Sequence, residues 1–197
     1  MPKEIEIKFL VADLNAIRRR LRASGFREKT GRTHEMNTLY DFPDSRLRQR
    51  GELLRIRQYG DTWTLTHKAK AVVGKHKSRI ETETTLGDGN ALDTIFRSLG
   101  LTPSFRYEKF RAEWSDDNGH VVLDETPIGD IAEIEGSPRW IDRTGKDLGI
   151  TPKQYITSSY AELFFQWKQR TGSPANEMTF RECQRRRSVR VPRSKAK

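Results

Sequence analysis

Apolar and polar residues alternate one by one through most of the first 136 positions of this chain. Successive side chains of a strand point to opposite faces, so each alternating run reads as a strand with two unlike faces. The runs predict eight strands, at residues 3–9, 33–41, 52–59, 62–69, 78–86, 106–115, 119–125 and 130–136. Gly60-Asp61 is placed to turn a tight hairpin, and Asp116-Asp117-Asn118-Gly119 to turn another. Eight strands suffice to close a small barrel. Helical periodicity appears between them. Residues 13–24 carry Leu14, Ile17 and Leu21 on one stripe and stop at Gly25. Asn90 is placed to cap a helix carrying Leu92, Ile95, Phe96 and Leu99, stopped by Gly100. Ser137-Pro138 opens a third, and Tyr160, Leu163, Phe164 and Trp167 mark a last one ending near Gly172. The basic loop 70–77 is expected to be mobile, and the polar, arginine-rich stretch after Gly172 to be largely disordered. The predicted organisation is one α+β domain over residues 1–172, with amphipathic helices flanking an eight-stranded antiparallel barrel, and a basic tail over 173–197.

The charged residues fall on one face of nearly every strand. Glu4, Glu6 and Lys8 share a face, backed by Ile5 and Ile7. Arg55 and Arg57 share another, as do Thr64, Thr66 and Lys68, then Arg79, Glu81 and Glu83, then Lys109 and Arg111. Asp124 follows Leu123, and Glu133 and Glu135 alternate with Ala132 and Ile134. For any single strand, a solvated outer face accounts for this. The set points elsewhere. Arginine pairs and glutamate pairs are segregated by strand, whereas a solubilising surface intersperses signs. Amphipathic helices are available to cover the apolar faces from outside. Two Glu-x-Glu pairs, one at each end of the barrel region, repel unless a cation sits among them. A polar lumen with two zones follows: carboxylate oxygens suited to Mg²⁺ or Mn²⁺, and Lys and Arg suited to phosphate oxygens. A metal-bridged triphosphate satisfies both zones.

Composition narrows the class. The 197 residues are 34% hydrophobic and 32% charged, polar for a globular domain without being a disordered composition. Of the net charge of +10, +7 lies in residues 181–197, where eight basic residues meet one acid, Glu182. That tail suits weak, non-specific binding of anions such as nucleic acid or polyphosphate. Cys183 is the only cysteine, which fits a reducing compartment and brings no partner for chemistry. The N-terminus lacks an apolar signal region, and no apolar run approaches a membrane span, so a soluble, cytoplasmic protein is expected. A P-loop signature is missing, and the four histidines show no metal spacing.

Glu4-Ile-Glu-Ile-Lys8 resembles the E-x-E-x-K signature of the CYTH superfamily, the triphosphate tunnel metalloenzymes. Further matches follow in order over roughly residues 1–170: Thr38-Leu-Tyr40-Asp41, Leu54-Arg-Ile-Arg57, Lys68, the Arg-x-Glu run of Arg79, Glu81 and Glu83, Lys109 with Arg111, Leu123-Asp124 and Glu133-Ile-Glu135. The resemblance implies a tunnel that binds triphosphate with divalent metal. By position it makes Glu4, Glu6, Glu133 and Glu135 metal ligands, with Asp124 a ligand or proton acceptor. It makes Lys8, Arg55, Arg57, Lys68, Arg79, Lys109 and Arg111 phosphate contacts, Lys8 and Asp124 being the catalytic pair. Glu81 and Glu83 are metal ligands or salt-bridge partners of lumen arginines. Tyr40 packs a base or fills the barrel mouth.

The chain looks closest to the class IV adenylyl cyclase-like and thiamine triphosphatase-like branch. The leading reading is conversion of ATP to cyclic AMP and pyrophosphate. The alternatives are hydrolysis of inorganic tripolyphosphate, thiamine triphosphate or a nucleoside triphosphate, and a non-catalytic polyphosphate or nucleotide binder. The sequence leaves a homodimer open.

Overall fold

Strand β1 (Lys3–Leu10) pairs on one side with β9 (Gly129–Gly136) and on the other with β6 (Lys77–Leu86), and that double pairing closes the barrel. The circuit runs β1, β9, β8 (Gly119–Thr126), β7 (Thr102–Ser115), β2 (Arg27–Asp41), β3 (Leu53–Tyr59), β4 (Thr62–Lys68), β6 and back to β1. Every pairing in it is antiparallel. This computed structural model describes residues 3–184. β2 starts earlier than the alternation indicates, at Arg27, because two register shifts between Glu28 and Thr33 interrupt the period, and β7 starts at Thr102, where a further shift between Leu39 and Tyr40 offsets its pairing. A short strand β5 (Val72–Val73) folds back on β6, so residues 70–77 form an antiparallel arm where a mobile loop was expected.

The core lies outside the barrel. Ile7, Phe9, Trp114, Val121, Leu123, Ala132 and Ile134 face outward and are covered by α1 (Leu14–Ala23) and α4 (Pro138–Asp147) through Ile17, Leu21, Trp140 and Ile141. Burying such side chains contributes about 1.5–3 kcal/mol each. Asp13 caps α1, its carboxylate accepting from the N–H groups of Asn15 and Ala16. Ser137 caps α4 ahead of Pro138. Trp140 lies against Gly119 and Gly136, where an added Cβ would come within 2.6 and 2.7 Å of the indole. A second cluster holds Tyr40, Ile56, Phe96 and Leu101 under α3 (Gly89–Ser98) and α2 (Arg46–Gln49). The cap of α3 is Asp88 rather than Asn90, since Asp88 accepts from the N–H groups of Asn90 and Ala91. Asp41 accepts from the N–H groups of Leu47 and Arg48, which anchors α2, an element the periodicity does not show.

The third cluster corrects the division at residue 172. Helix α5 (Tyr160–Thr171) ends at Gly172 with φ +60°, as expected, but the chain then packs back on the barrel. Ala175, Met178 and Cys183 are buried with Phe105, Tyr107, Tyr160 and Phe164, and α6 (Phe180–Gln184) follows. The arginine-rich remainder of the tail lies outside the described residues. Among those described, no helix is long and apolar enough to cross a membrane.

Candidate active site: an ionic tunnel

Because side chains alternate, packing Ile5, Ile7 and Phe9 outward sends Glu4, Glu6 and Lys8 inward. The same parity applies around the barrel, and a cavity of about 300 Å³ results. Eight basic side chains line it: Lys8, Arg55, Arg57, Lys68, Lys77, Arg79, Lys109 and Arg111. Six carboxylates join them: Glu4, Glu6, Glu81, Glu83, Glu133 and Glu135.

On the β1–β9 wall, Glu6 stands opposite Glu135, and Lys8 opposite Glu133. The Lys8 ammonium sits 2.9 Å from Glu6 and 3.3 Å from Glu133. Burial opposes its charge, but Glu133 and Glu6 outweigh burial and hold the ammonium well above the usual lysine range. Its two carboxylate partners therefore favour the charged form of Lys8. Glu4 takes Lys68 at 2.8 Å and Arg79 at 3.2 Å. Against its burial, those two cations hold its carboxyl down at about 2. Glu81 is 2.7 Å from Lys68, and Glu83 is 3.0 Å from Arg57 and 2.7 Å from the Thr66 hydroxyl. Both act here as partners of lumen cations.

At the inner end, Asp124 is completely buried. It accepts from Lys109 at 2.9 Å, from Arg111 at 2.7 and 2.8 Å, and from the Tyr160 hydroxyl. Its oxygens are occupied, and it does not line the cavity; it holds Lys109 and Arg111 from behind. Tyr40 is not in the tunnel either. It faces outward, edge-on to Phe96, with its hydroxyl on Asp93.

Several lumen residues escape the motif reading. Glu35, on β2, is fully buried, 3.4 Å from Lys109 and 3.7 Å from Arg111. Burial opposes its charge, yet those cations keep its carboxyl well below the usual range. Asn37 donates to it at 2.8 Å. Lys77 lies 3.6 Å from Glu6 and falls to about 8, through burial and then the nearby charge of Lys8. Lys77 shares parity with Arg79, and Tyr107 with Lys109 and Arg111, a signal available in the sequence, whereas Tyr160 reaches the cavity from α5 and carries no such signal.

The donor set fits a hard divalent cation in chemistry. Glu4, Glu6 and Glu133 are each taken by a lysine or arginine, whereas Glu135 has no cation within ion-pair distance among the described residues. Its carboxyl is pushed up to about 7, by desolvation and then by the charges of Glu4 and Glu133. No three carboxylate or imidazole groups converge on one point among the described residues, so the set needs those ion pairs to open before it can hold a metal.

These shifts predict a pH profile for the ligand-free protein. Glu135, raised from 4.5 to about 7, binds its proton more tightly when folded, so stability rises as pH falls through 7. Lys77, lowered from 10.5 to about 8, favours its neutral form when folded, so stability rises as pH climbs through 8. Glu4 is lowered to about 2, and its contribution is lost as pH falls below about 4.5. With chelator present, the melting temperature should pass through a local minimum between about pH 7 and 8, and drop again in acid. Glu135→Gln should remove the rise between pH 7 and 5. A wild-type profile without that rise would count against the charge-crowded wall.

Comparison with known proteins agrees with this geometry. The CYTH domain family model matches residues 2–147. A Methanocaldococcus jannaschii protein described as a candidate adenylate cyclase is 29% identical over 171 residues, covering 81% of this chain and 97% of that protein. The structure of a Vibrio parahaemolyticus protein of the same description superposes with a TM-score of 0.74 at 17% identity, covering 82% of this chain and 97% of that one. A Hippeastrum protein named as a candidate adenylyl cyclase, and described as having a dominant triphosphatase activity, superposes at 0.62 with 20% identity, covering 83% of this chain and 95% of that one. The ordered strand motifs, the closed barrel and the family match over residues 2–147 coincide: this chain belongs to the CYTH family.

Proposed function

We propose that the chain binds a triphosphate together with Mg²⁺ or Mn²⁺ in the tunnel and hydrolyses it, the substrate being inorganic tripolyphosphate or a triphosphate with a small head. The observation that carries this reading is the lining itself: eight cations and six carboxylates converge on one closed lumen. That lining is too nearly neutral to draw in a highly charged chain alone, and a divalent cation supplies the difference. The buried Arg55 Nε has no partner among the described residues, which leaves a donor for an anion.

Phosphate oxygens entering the tunnel compete for Lys8, Lys68 and Arg111. As those cations turn to phosphate, Glu4, Glu6 and Glu133 would be free to join Glu135 as the oxygen donors that hold the divalent cation, which would supply positive charge against the phosphate oxygens. Lys8 and Arg111, as cations facing the phosphate oxygens, hold the chain and stabilise charge that develops on it, which is the main demand of a loose phosphoryl transition state.

The choice of hydrolysis rests on the aromatic groups. Tyr107 is stacked between Phe105 and Tyr160, at 6.0 and 5.6 Å between ring centroids, and Lys109 sits 4.3 Å from the Tyr160 ring centre. Neither ring offers adenine an open face. Cyclisation of ATP is the second reading, favoured by the Methanocaldococcus relative described as a candidate adenylate cyclase.

Tripolyphosphate, thiamine triphosphate and ATP, each with Mg²⁺, Mn²⁺ or chelator, separate the readings. Phosphate release from tripolyphosphate that stops with chelator is expected. Cyclic AMP as the main product from ATP would establish the second reading. Binding without turnover of any of the three would make the chain a non-catalytic binder.

A further inference from the structure

β7 has a free lane. β8 pairs with it only from Phe110 to Ser115, leaving the backbone before Phe110 without a β8 neighbour on that side. The segment after α5 fills the lane. Met178 pairs in parallel with Tyr107: its N–H donates to the Arg106 carbonyl at 3.0 Å, and its carbonyl accepts from the Glu108 N–H at 3.0 Å. Met178 is fully buried, and Ser173 and Ala175 are nearly so. Glu108 pins the other end, accepting from the Phe180 N–H at 2.7 Å and meeting His34 at 2.8 Å. Phe180 lies against Phe110, 5.5 Å between ring centroids.

The residue held between Arg106 and Glu108 is Tyr107, whose side chain belongs to the tunnel. Its hydroxyl accepts from Arg55 at 3.4 Å, and its ring stacks on Tyr160, which bonds Asp124. Asp124 in turn holds Lys109 and Arg111. One side of this chain of contacts is the C-terminal arm of residues 173–184, and the other is the set of cations proposed to hold phosphate.

We propose that residues 173–184 are a positioning strut of the tunnel, with Met178 its key: by occupying the open lane of β7 they seat Tyr107 against Tyr160 and so set the aim of Arg55, Lys109 and Arg111. The arm lies beyond the stretch matched by the family model, which ends at residue 147, so it tunes the tunnel with chain that the family domain does not supply. The functional part of this proposal rests on the triphosphate reading above.

The test uses the whole chain with two lesions at separate contacts of the arm, one within it and one on the β7 residue that holds its far end. Met178→Pro removes the N–H that donates to Arg106, and Glu108→Ala releases the start of α6 from outside the barrel. Each is compared with wild type for kcat and KM on tripolyphosphate with Mg²⁺, and for amide exchange over residues 106–109, where the Glu108 N–H donates to the Met178 carbonyl. Both variants should keep the barrel's circular dichroism, speed exchange at those amides, and raise KM by roughly tenfold for Met178→Pro and less for Glu108→Ala, with kcat changed far less. Met178→Leu, which keeps the backbone bonds and the bulk, should restore wild-type KM. If Met178→Pro does not fold, Glu108→Ala decides. Wild-type exchange and KM in a folded variant would reduce the arm to packing and overturn the proposal. Faster exchange at those amides in a protein whose wild type neither binds nor cleaves tripolyphosphate would uphold the strut and refute the triphosphate reading instead.

Discussion

Asp124→Asn should lower stability by about 3 kcal/mol, near the bottom of the range for breaking a buried ion pair from one side. Asp124 is completely buried and accepts from two cations that are themselves buried or nearly so. Asparagine keeps the shape and one acceptor, but leaves Lys109 and Arg111 with less opposing charge in a place water does not reach. Glu35 and Glu133 stay close to them, at 3.4 Å from Lys109 and 2.9 Å from Arg111, and limit the loss. For a chain of this size the melting temperature should fall by roughly 6–12 °C. Turnover should fall as well, because both cations lose the anchor that aims them. Asp44→Asn is the control. Asp44 pairs with Arg46 at the surface, where screening and side-chain entropy leave little net contribution, so no measurable change is expected. Equal melting temperatures for Asp124→Asn and Asp44→Asn would mean that Asp124 is not the buried hub described.

Much of the barrel is legible because its code is simple. In β1, β3, β4, β6 and β9 the apolar row must meet the helices, so parity alone sends Glu4, Arg55, Lys68, Arg79 and Glu133 into the lumen. β2 shows the limit of that code. Its later half contains Tyr40 and Asp41, which look chemical, while its lumen residues are Glu35 and Asn37. Counted from Glu35 and Asn37, alternation itself sends Tyr40 outward under α3, while Asp41 ends the strand and anchors α2. Period two gives the two faces of a strand but not which of them is the lumen when neither row is plainly apolar. Lys77 was hidden for another reason: a run of basic residues around Gly74 reads as loop, although the β6 ladder already includes it. The arm was hidden most completely. Ser173-Pro174, Asn176 and the arginines after it have the composition of a disordered tail. What orders residues 173–184 is a vacant lane on a strand some 70 positions earlier, and no local pattern reports that. Asp124 sits in a motif that the sequence displays, but the motif does not carry its role. Whether a carboxylate faces the cavity or stands behind two cations is decided by partners from β7 and α5.

The largest effect on turnover should come from Glu6→Gln, a loss on the order of 10²- to 10³-fold with the fold retained. Glu6 is buried on the β1–β9 wall, opposite Glu135 and 2.9 Å from Lys8. Glutamine keeps the volume and an acceptor for Lys8, which also retains Glu133, so the wall stays packed. What is lost is one of four negative charges on the wall proposed to take the divalent cation. The half-saturating Mg²⁺ concentration should therefore rise along with the fall in kcat, a coupling that simple damage to packing does not produce. Glu83→Gln supplies the contrast. Glu83 pairs with Arg57 and Thr66 on the β3, β4 and β6 side, so its loss should loosen one phosphate contact, raise KM, and leave the Mg²⁺ requirement unchanged. Two buffers of one lumen would give both variants the same profile. A metal wall facing a phosphate wall separates them, and Glu6→Gln retaining most of its activity at ordinary Mg²⁺ would take the cation off β1 and β9.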